Sequence, residues 1–159
     1  MICNVIESKE DHIPHVADNM RLADLDELAA VGTRDPHKAL TMGFEMSKPS
    51  CYTFVMDDLP VSMFGVAPLE GHPAWGSIWM LGTDDVTDKC SFHFLRWSKR
   101  FLPNLLEPYD MVCNIVDARN TVHIKWIQWL GFKFLRPITF GPENRTFWEF
   151  AEVNHVRNS

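Results

Sequence analysis

Cysteine is scarce in this sequence: four residues in 159, with no C-x-x-C pair among them. Cys3, Cys51, Cys90 and Cys113 lie far apart among apolar neighbours. That excludes a zinc ribbon or a dithiol redox centre and predicts small buried thiols in a reducing compartment. His12 and His15 stand three apart, but no cysteine or carboxylate pattern completes a ligand set, so no metal is expected. The N-terminus lacks a basic region followed by an apolar run, so no secretory leader is expected. No apolar stretch is long enough to cross a bilayer. Repeats, low-complexity tracts and linkers are missing too. Positive charge is the minority sign, 15 Lys and Arg against 21 Asp and Glu, for a formal net charge of -6. Such a field opposes nucleic acid and anionic membranes, so neither is expected as a partner. The longest basic cluster, Arg96-Trp97-Ser98-Lys99-Arg100, reads as the solvated face of a helix.

What is present is an ordinary globular composition, 46% apolar and 23% charged, of a length that suits one domain over 1–159. Residues 2–6 read as a strand. Residues 12–20 read as a helix on Ile13, Val16, Ala17 and Met20, and a further turn or two carries Leu22, Leu25 and Leu28 as far as Gly32. Asp35-Pro36 opens another helix, with Asp as cap and Pro in the first turn, where its missing N–H costs nothing. Two strands, 51–56 and 61–67, flank the turn Asp57-Asp58-Leu59-Pro60. A third strand covers 75–81. A helix over 86–102 ends at Pro103 or Pro108. A strand over 111–116 and a helix over 119–130 precede two last strands, 132–138 and 145–152. The expected order is β-α-α-β-β-β-α-β-α-β-β, a mixed α/β arrangement around a mostly antiparallel sheet of about seven strands. The polar tail at 154–159 would need contacts to hold it.

One segment sharpens this picture. In Asn120-Thr-Val-His-Ile-Lys-Trp-Ile-Gln-Trp-Leu-Gly131-Phe132 an Asn opens a helix and a Gly closes it before the next strand. It resembles the late motif of the GNAT acetyltransferases, and Arg21-Leu-Ala-Asp-Leu-Asp-Glu-Leu resembles their early segment. Further stretches are Asn19-Met-Arg21-Leu-Ala-Asp24, Pro60-Val-Ser-Met-Phe-Gly65-Val, Trp79-Met-Leu-Gly-Thr-Asp84 and Val116-Asp-Ala-Arg-Asn120. These are similar to the GNAT-like internal virion protein A family of short-tailed bacteriophages.

The GNAT resemblance implies an acetyl-CoA site. Its pyrophosphate would lie on a loop after the fourth strand, usually Arg/Gln-x-x-Gly-x-Gly/Ala, at a helix N-terminus. The backbone of Trp79, Met80 and Leu81 would meet the pantetheine arm, Gly82 through Asp85 would approach the pyrophosphate, and Asn120 would touch the cofactor. The matching loop, Gly82 to Cys90, carries one glycine and three carboxylates, Asp84, Asp85 and Asp88, against Lys89. It suits helix capping better than anion binding. The family's tyrosine acid would fall at Ile127, which carries no proton to give; Tyr52 and Tyr109 stand elsewhere. Glu70, His72 and Ser77 are the candidates for catalytic groups. Cys113 reads as a core thiol, without a base such as His123 to pair with.

Six tryptophans and eleven phenylalanines are a heavy aromatic load. Trp126 and Trp129, three apart on a helix, are candidates for an interaction surface. Two functions follow. In the first, the chain is a bacteriophage GNAT-fold component of the virion, of assembly or of host interaction, with a degenerate site and no cofactor. Its partners would be phage structural proteins, a host protein or further copies of itself, in the host cytoplasm or packaged in the particle. In the alternative, it is an acetyl-CoA-dependent N-acetyltransferase acting on an amine of a host protein or small molecule.

Overall fold

A computed structural model of the chain describes residues 1–157. Strand β1 (Cys3–Glu7) is followed by a 3-10 turn (Glu10–His12) and helices α1 (Ile13–Asp18), α2 (Leu22–Ala30) and α3 (Pro36–Ser47). Three antiparallel strands come next: β2 (Cys51–Met56), β3 (Leu59–Leu69) and β4 (His72–Gly82). Helices α4 (Asp85–Asp88) and α5 (Ser91–Leu106) carry the chain over to β5 (Met111–Asp117), and α6 (Thr121–Trp129) leads into β6 (Lys133–Phe140) and β7 (Arg145–Val153). All seven strands join one sheet in the order β1-β2-β3-β4-β5-β7-β6. Every neighbouring pair is antiparallel except β4–β5.

Local chemistry explains most of these boundaries. Asp35 accepts the Lys38 N–H as the cap of α3, with Pro36 in its first turn. Asn120 caps α6 by accepting from the His123 N–H. Helices α2 and α6 both close on a glycine of positive φ, Gly32 and Gly131. Each carries the paired reverse bonds of a Schellman ending: Gly32 N–H to Ala29 and Thr33 N–H to Leu28, then Gly131 N–H to Gln128 and Phe132 N–H to Ile127. Asp57 and Asp58, both at positive φ, turn β2 into β3.

Three expectations are corrected. The helix expected over 86–102 is two helices, because the chain closes one turn at α4 and starts again after Cys90. Pro103 lies inside α5; the turn beyond it is kept by Leu105, which is buried in the core. Three helices, where the expected order counts two, precede β2. The chain bends at Met20, which bridges to Thr83, so α1 and α2 stay separate.

The sheet buries both faces. Along β4, Ile78 and Met80 face α5 and α6 in a core with Phe54, Phe64, Phe94 and Trp126. The alternate residues Trp79 and Leu81 meet the second core, with Val16, Leu40 and Phe44 of α1 and α3. Burying each such side chain is worth about 1.5–3 kcal/mol. Phe54 and Phe94 add an edge-to-face contact at 5.5 Å. Asn154 and Arg157 are held by contacts within the chain. Asn154 Nδ2 donates to the Leu106 and Tyr109 carbonyls, and Arg157 pairs with Asp110 at 3.0 Å. Asn158 and Ser159 of the polar tail lie outside the described residues.

Candidate functional site

Strands β4 and β5 pair at three positions only, Trp75 with Met111, Gly76 with Val112 and Ser77 with Cys113. At this junction a side chain on Gly76 would run into Val66 and Tyr109, so the glycine lets Tyr109 lie close over the joined strands. Beyond it they part. Asn114 Nδ2 reaches across and donates to the Ile78 carbonyl at 2.6 Å. The Ile78 carbonyl and the Gly82 N–H both point toward β5, so backbone alternation turns the N–H and C=O of Met80 the same way, into the gap. A cleft of about 230 Å³ opens there, lined by residues 78–81 of β4, 114–116 of β5 and His123, Trp126 and Ile127 of α6.

Helix α2 lies across the mouth of this cleft and is fastened to both parted strands. Asp24, fully buried, accepts the Gly82 N–H at the end of β4 at 2.9 Å. Glu27, one turn on, accepts the Asp117 N–H at the end of β5 at 2.7 Å. The other Asp24 oxygen takes Arg21 Nη1 at 2.8 Å and Asn120 Nδ2 at 3.2 Å. His123 lies between the carboxylates, its Nε2 3.2 Å from Asp24 and its Nδ1 3.6 Å from Glu27. Its Nε2 is out of line for a hydrogen bond, so the contact is electrostatic. The Arg21 guanidinium and the His123 ring thus face two carboxylates. Burial alone would lower the His123 pKa, but Asp24 and Glu27 overrule it and raise the imidazole above its ordinary value. Asp117 is held the other way. Burial would raise its pKa, but the Arg119 guanidinium, at 2.7 Å, and the Arg119 N–H keep its carboxyl below the usual range.

In the loop after β4 the Thr83 N–H bonds the Val61 carbonyl of β3, and four later amides close the turn of α4. Thr87 and Asp88 N–H bond the Asp84 carbonyl, and Lys89 and Cys90 N–H bond the Asp85 carbonyl. Asp84 stands at the cap position of α4, but its side chain makes no cap bond, so its carboxylate acts only through the helix dipole. The Cys90 thiol is pushed up to about 11, first by burial and then by Cys3 and Asp85.

No protein-family model matches this chain, and no curated protein does. Solved structures match it along almost its whole length. The aminoglycoside acetyltransferase AAC(6')-Ib, in complex with ribostamycin and coenzyme A, superposes with a TM-score of 0.71 at 10% identity, over 99% of this chain and 97% of that one. A GNAT-family acetyltransferase from Bacillus cereus superposes with a TM-score of 0.67 at 12% identity, over 96% and 98%. The fold is that of the GNAT acetyltransferases. At these identities the likeness is one of fold. The likeness to the phage virion family rests on the sequence stretches alone.

Within the GNAT fold the expected cofactor-contacting residues gather at one place. Trp79, Met80 and Leu81 line the cleft, while Gly82 and Asn120 stand at its mouth, both bonded to Asp24. The three catalytic candidates do not join them. Glu70 is exposed in the β3–β4 turn, and His72 is exposed with its ring stacked on Trp75 at 4.5 Å. Both sit at the start of β4, and the strand runs about 20 Å from His72 to Ile78, where the cleft lining begins. Ser77 is half-buried at the junction, outside the cleft lining. Ile127 occupies the cleft wall where the family's phenol would stand, and Tyr109 is in the core. Cys113 pairs with Ser77, and burial, then Glu149, raises its thiol pKa.

Of the two candidate interface tryptophans, Trp126 is buried at the cleft and its Nε1 has no acceptor among the described residues. Only Trp129 reaches the surface, 45% exposed. Sequence reasoning missed Asp24, Glu27 and their grouping with Arg21 and His123. The local pattern hides them, because α2 buries Asp24 and leaves Leu22 71% exposed, the reverse of an ordinary amphipathic helix. Among the described residues no group of three or more His, Cys, Asp or Glu side chains is arranged to hold a metal, and no helix is long and apolar enough to cross a membrane.

Proposed function

We propose that this chain uses the GNAT scaffold as a binding module whose acetyl-CoA site is degenerate. The carrying observation is the Asp24 carboxylate on the Gly82 N–H. It takes up the Gly82 N–H and holds α2 across the mouth through which the pyrophosphate arm of acetyl-CoA would pass. The neighbouring loop sets three exposed or half-exposed carboxylates, Asp84, Asp85 and Asp88, where an anion would approach. The pantetheine side of the site fits, through the edge of β4 at Met80; the pyrophosphate side does not. The sequence stretches similar to the internal virion protein A family support a bacteriophage setting. The module would serve in the virion, in assembly or against a host protein, made in the host cytoplasm.

The retained cleft and its open β4 edge favour a second reading, an acetyl-CoA-dependent N-acetyltransferase acting on an amine of a protein or small molecule. That reading requires α2 to leave the mouth. Calorimetric titration of the protein with acetyl-CoA at moderate salt separates the two. No heat at millimolar acetyl-CoA is the expected result. Micromolar binding would overturn the first reading and start a search for the acceptor amine.

A further inference from the structure

We propose that the outward face of α5 is a docking surface for a short acidic segment of a partner protein. The proposal deepens the binding-module reading by naming the chemistry of the partner, and it lies on a surface separate from the cleft.

Phe92, His93, Arg96, Lys99 and Arg100 recur at three- and four-residue spacing, which places them on one side of the 16-residue helix. Phe94, Ser98 and Leu105 face the core. Arg96, Lys99 and Arg100 are exposed, and none of the ion pairs among the described residues includes them. Some exposed cations elsewhere pair with carboxylates, Lys48 with Glu45, Lys89 with Asp85 and Arg136 with Glu149. On α5 aromatic rings take that place. Lys99 Nζ lies 4.5 Å from the Trp129 ring centroid, and the Arg100 guanidinium lies 5.0 Å from that of Trp97. Trp129 is itself pinned, its Nε1 donating to the Leu95 carbonyl at 2.9 Å.

Cations steadied by rings keep their hydrogen-bond donors for an incoming anion and lose less rotamer freedom when it arrives. A shallow hollow between His93, Arg96, Trp97 and Arg100 offers a seat. Phe92, 70% exposed, and Trp129, 45% exposed, add apolar area beside it. Arginine with exposed tryptophan is the composition of a binding hot spot.

The extent of the charge selects the partner. From Phe92 to Arg100 the patch runs about 12 Å along the helix, which spans about four residues of extended peptide. The formal charge of the chain is -6, so the molecule beyond the patch is negative. A long polyanion would run from the patch onto repulsive surface, whereas a short acidic segment ends where the patch ends.

The test is fluorescence anisotropy of a labelled octapeptide alternating Glu with Leu, run beside a labelled oligothymidylate of the same length. Saturable, salt-sensitive peptide binding at micromolar protein is expected. It should weaken by about tenfold or more in the R96E/R100E double variant, a loss of about 1.4 kcal/mol or more. It should weaken also in W129A, and stay unchanged in K38E, which reverses an exposed charge on α3. Circular dichroism checks that each variant is folded. Absent peptide binding, binding indifferent to R96E/R100E, or tighter binding of the oligothymidylate would each overturn the proposal. The acetyl-CoA titration reads the cleft, so failure of one reading leaves the other visible.

Discussion

Asp24 and Gly82, far apart in sequence, are joined by a 2.9 Å bond from a backbone N–H to a fully buried carboxylate. That bond, with its counterpart from Asp117 to Glu27, fastens α2 across two strands whose parting makes the cleft. It fixes where α2 lies at the mouth of the cleft.

Replacing Asp24 by Asn removes the anion that faces Arg21 and His123 while keeping the shape. Breaking one side of a buried charged group costs about 3–5 kcal/mol, and urea unfolding of D24N should show a loss of that size. A change under about 1 kcal/mol would mean that the network contributes little, since surface substitutions fall in that range.

His123 links the network to pH. Its folded pKa is raised above the ordinary 6.5, so its stabilising contribution is complete below that value and is lost as pH rises through the folded one. Thermal melts from pH 6 upward should show the wild type losing more stability than H123Q. Parallel curves for the two proteins would count against a charged imidazole at the mouth.

Charge and geometry can be separated in the loop after β4. Changing Asp84, Asp85 and Asp88 together to Asn removes the repulsion but leaves α2 and its Asp24 bond across the mouth in place. Calorimetry should still give no acetyl-CoA binding at millimolar concentration. Measurable affinity would assign the block to the three exposed or half-exposed carboxylates alone.

Gly141, at φ 82°, turns β6 into β7 against the C-terminal end of α2, and a side chain there would collide with the Ala30 carbonyl. G141A should destabilise by at least about 1–3 kcal/mol, the ordinary cost of overpacking. Hydrogen exchange should rise first in residues 22–30. Uniform exchange with an unchanged melting temperature would show that the turn does not support α2.

The seven strands in their order and the fold class were legible in the chain, while the number of helices was not. The Asp35-Pro36 start, the Asn120 cap and the glycine endings at Gly32 and Gly131 are local devices, each decided within a few residues of itself. Their order, with the late segment ending in Leu130-Gly131-Phe132, was enough to expect the sheet and its flanking helices. The missing phenol at Ile127 and the acidic loop were legible as well, because composition at a matched position needs no contacts to be read.

The closed mouth was not. Asp24 meets Gly82 across 58 positions and Asn120 across 96, and nothing near Asp24 distinguishes it from a solvated helix carboxylate. Trp126 and Trp129 read alike in sequence, yet one lines the cleft and the other lies on the surface, pinned to α5. Local spacing sets which residues share a helix face, and so the sequence alone determined the elements and their order. Which face turns inward depends on what the other elements bury, and only the tertiary structure decided that.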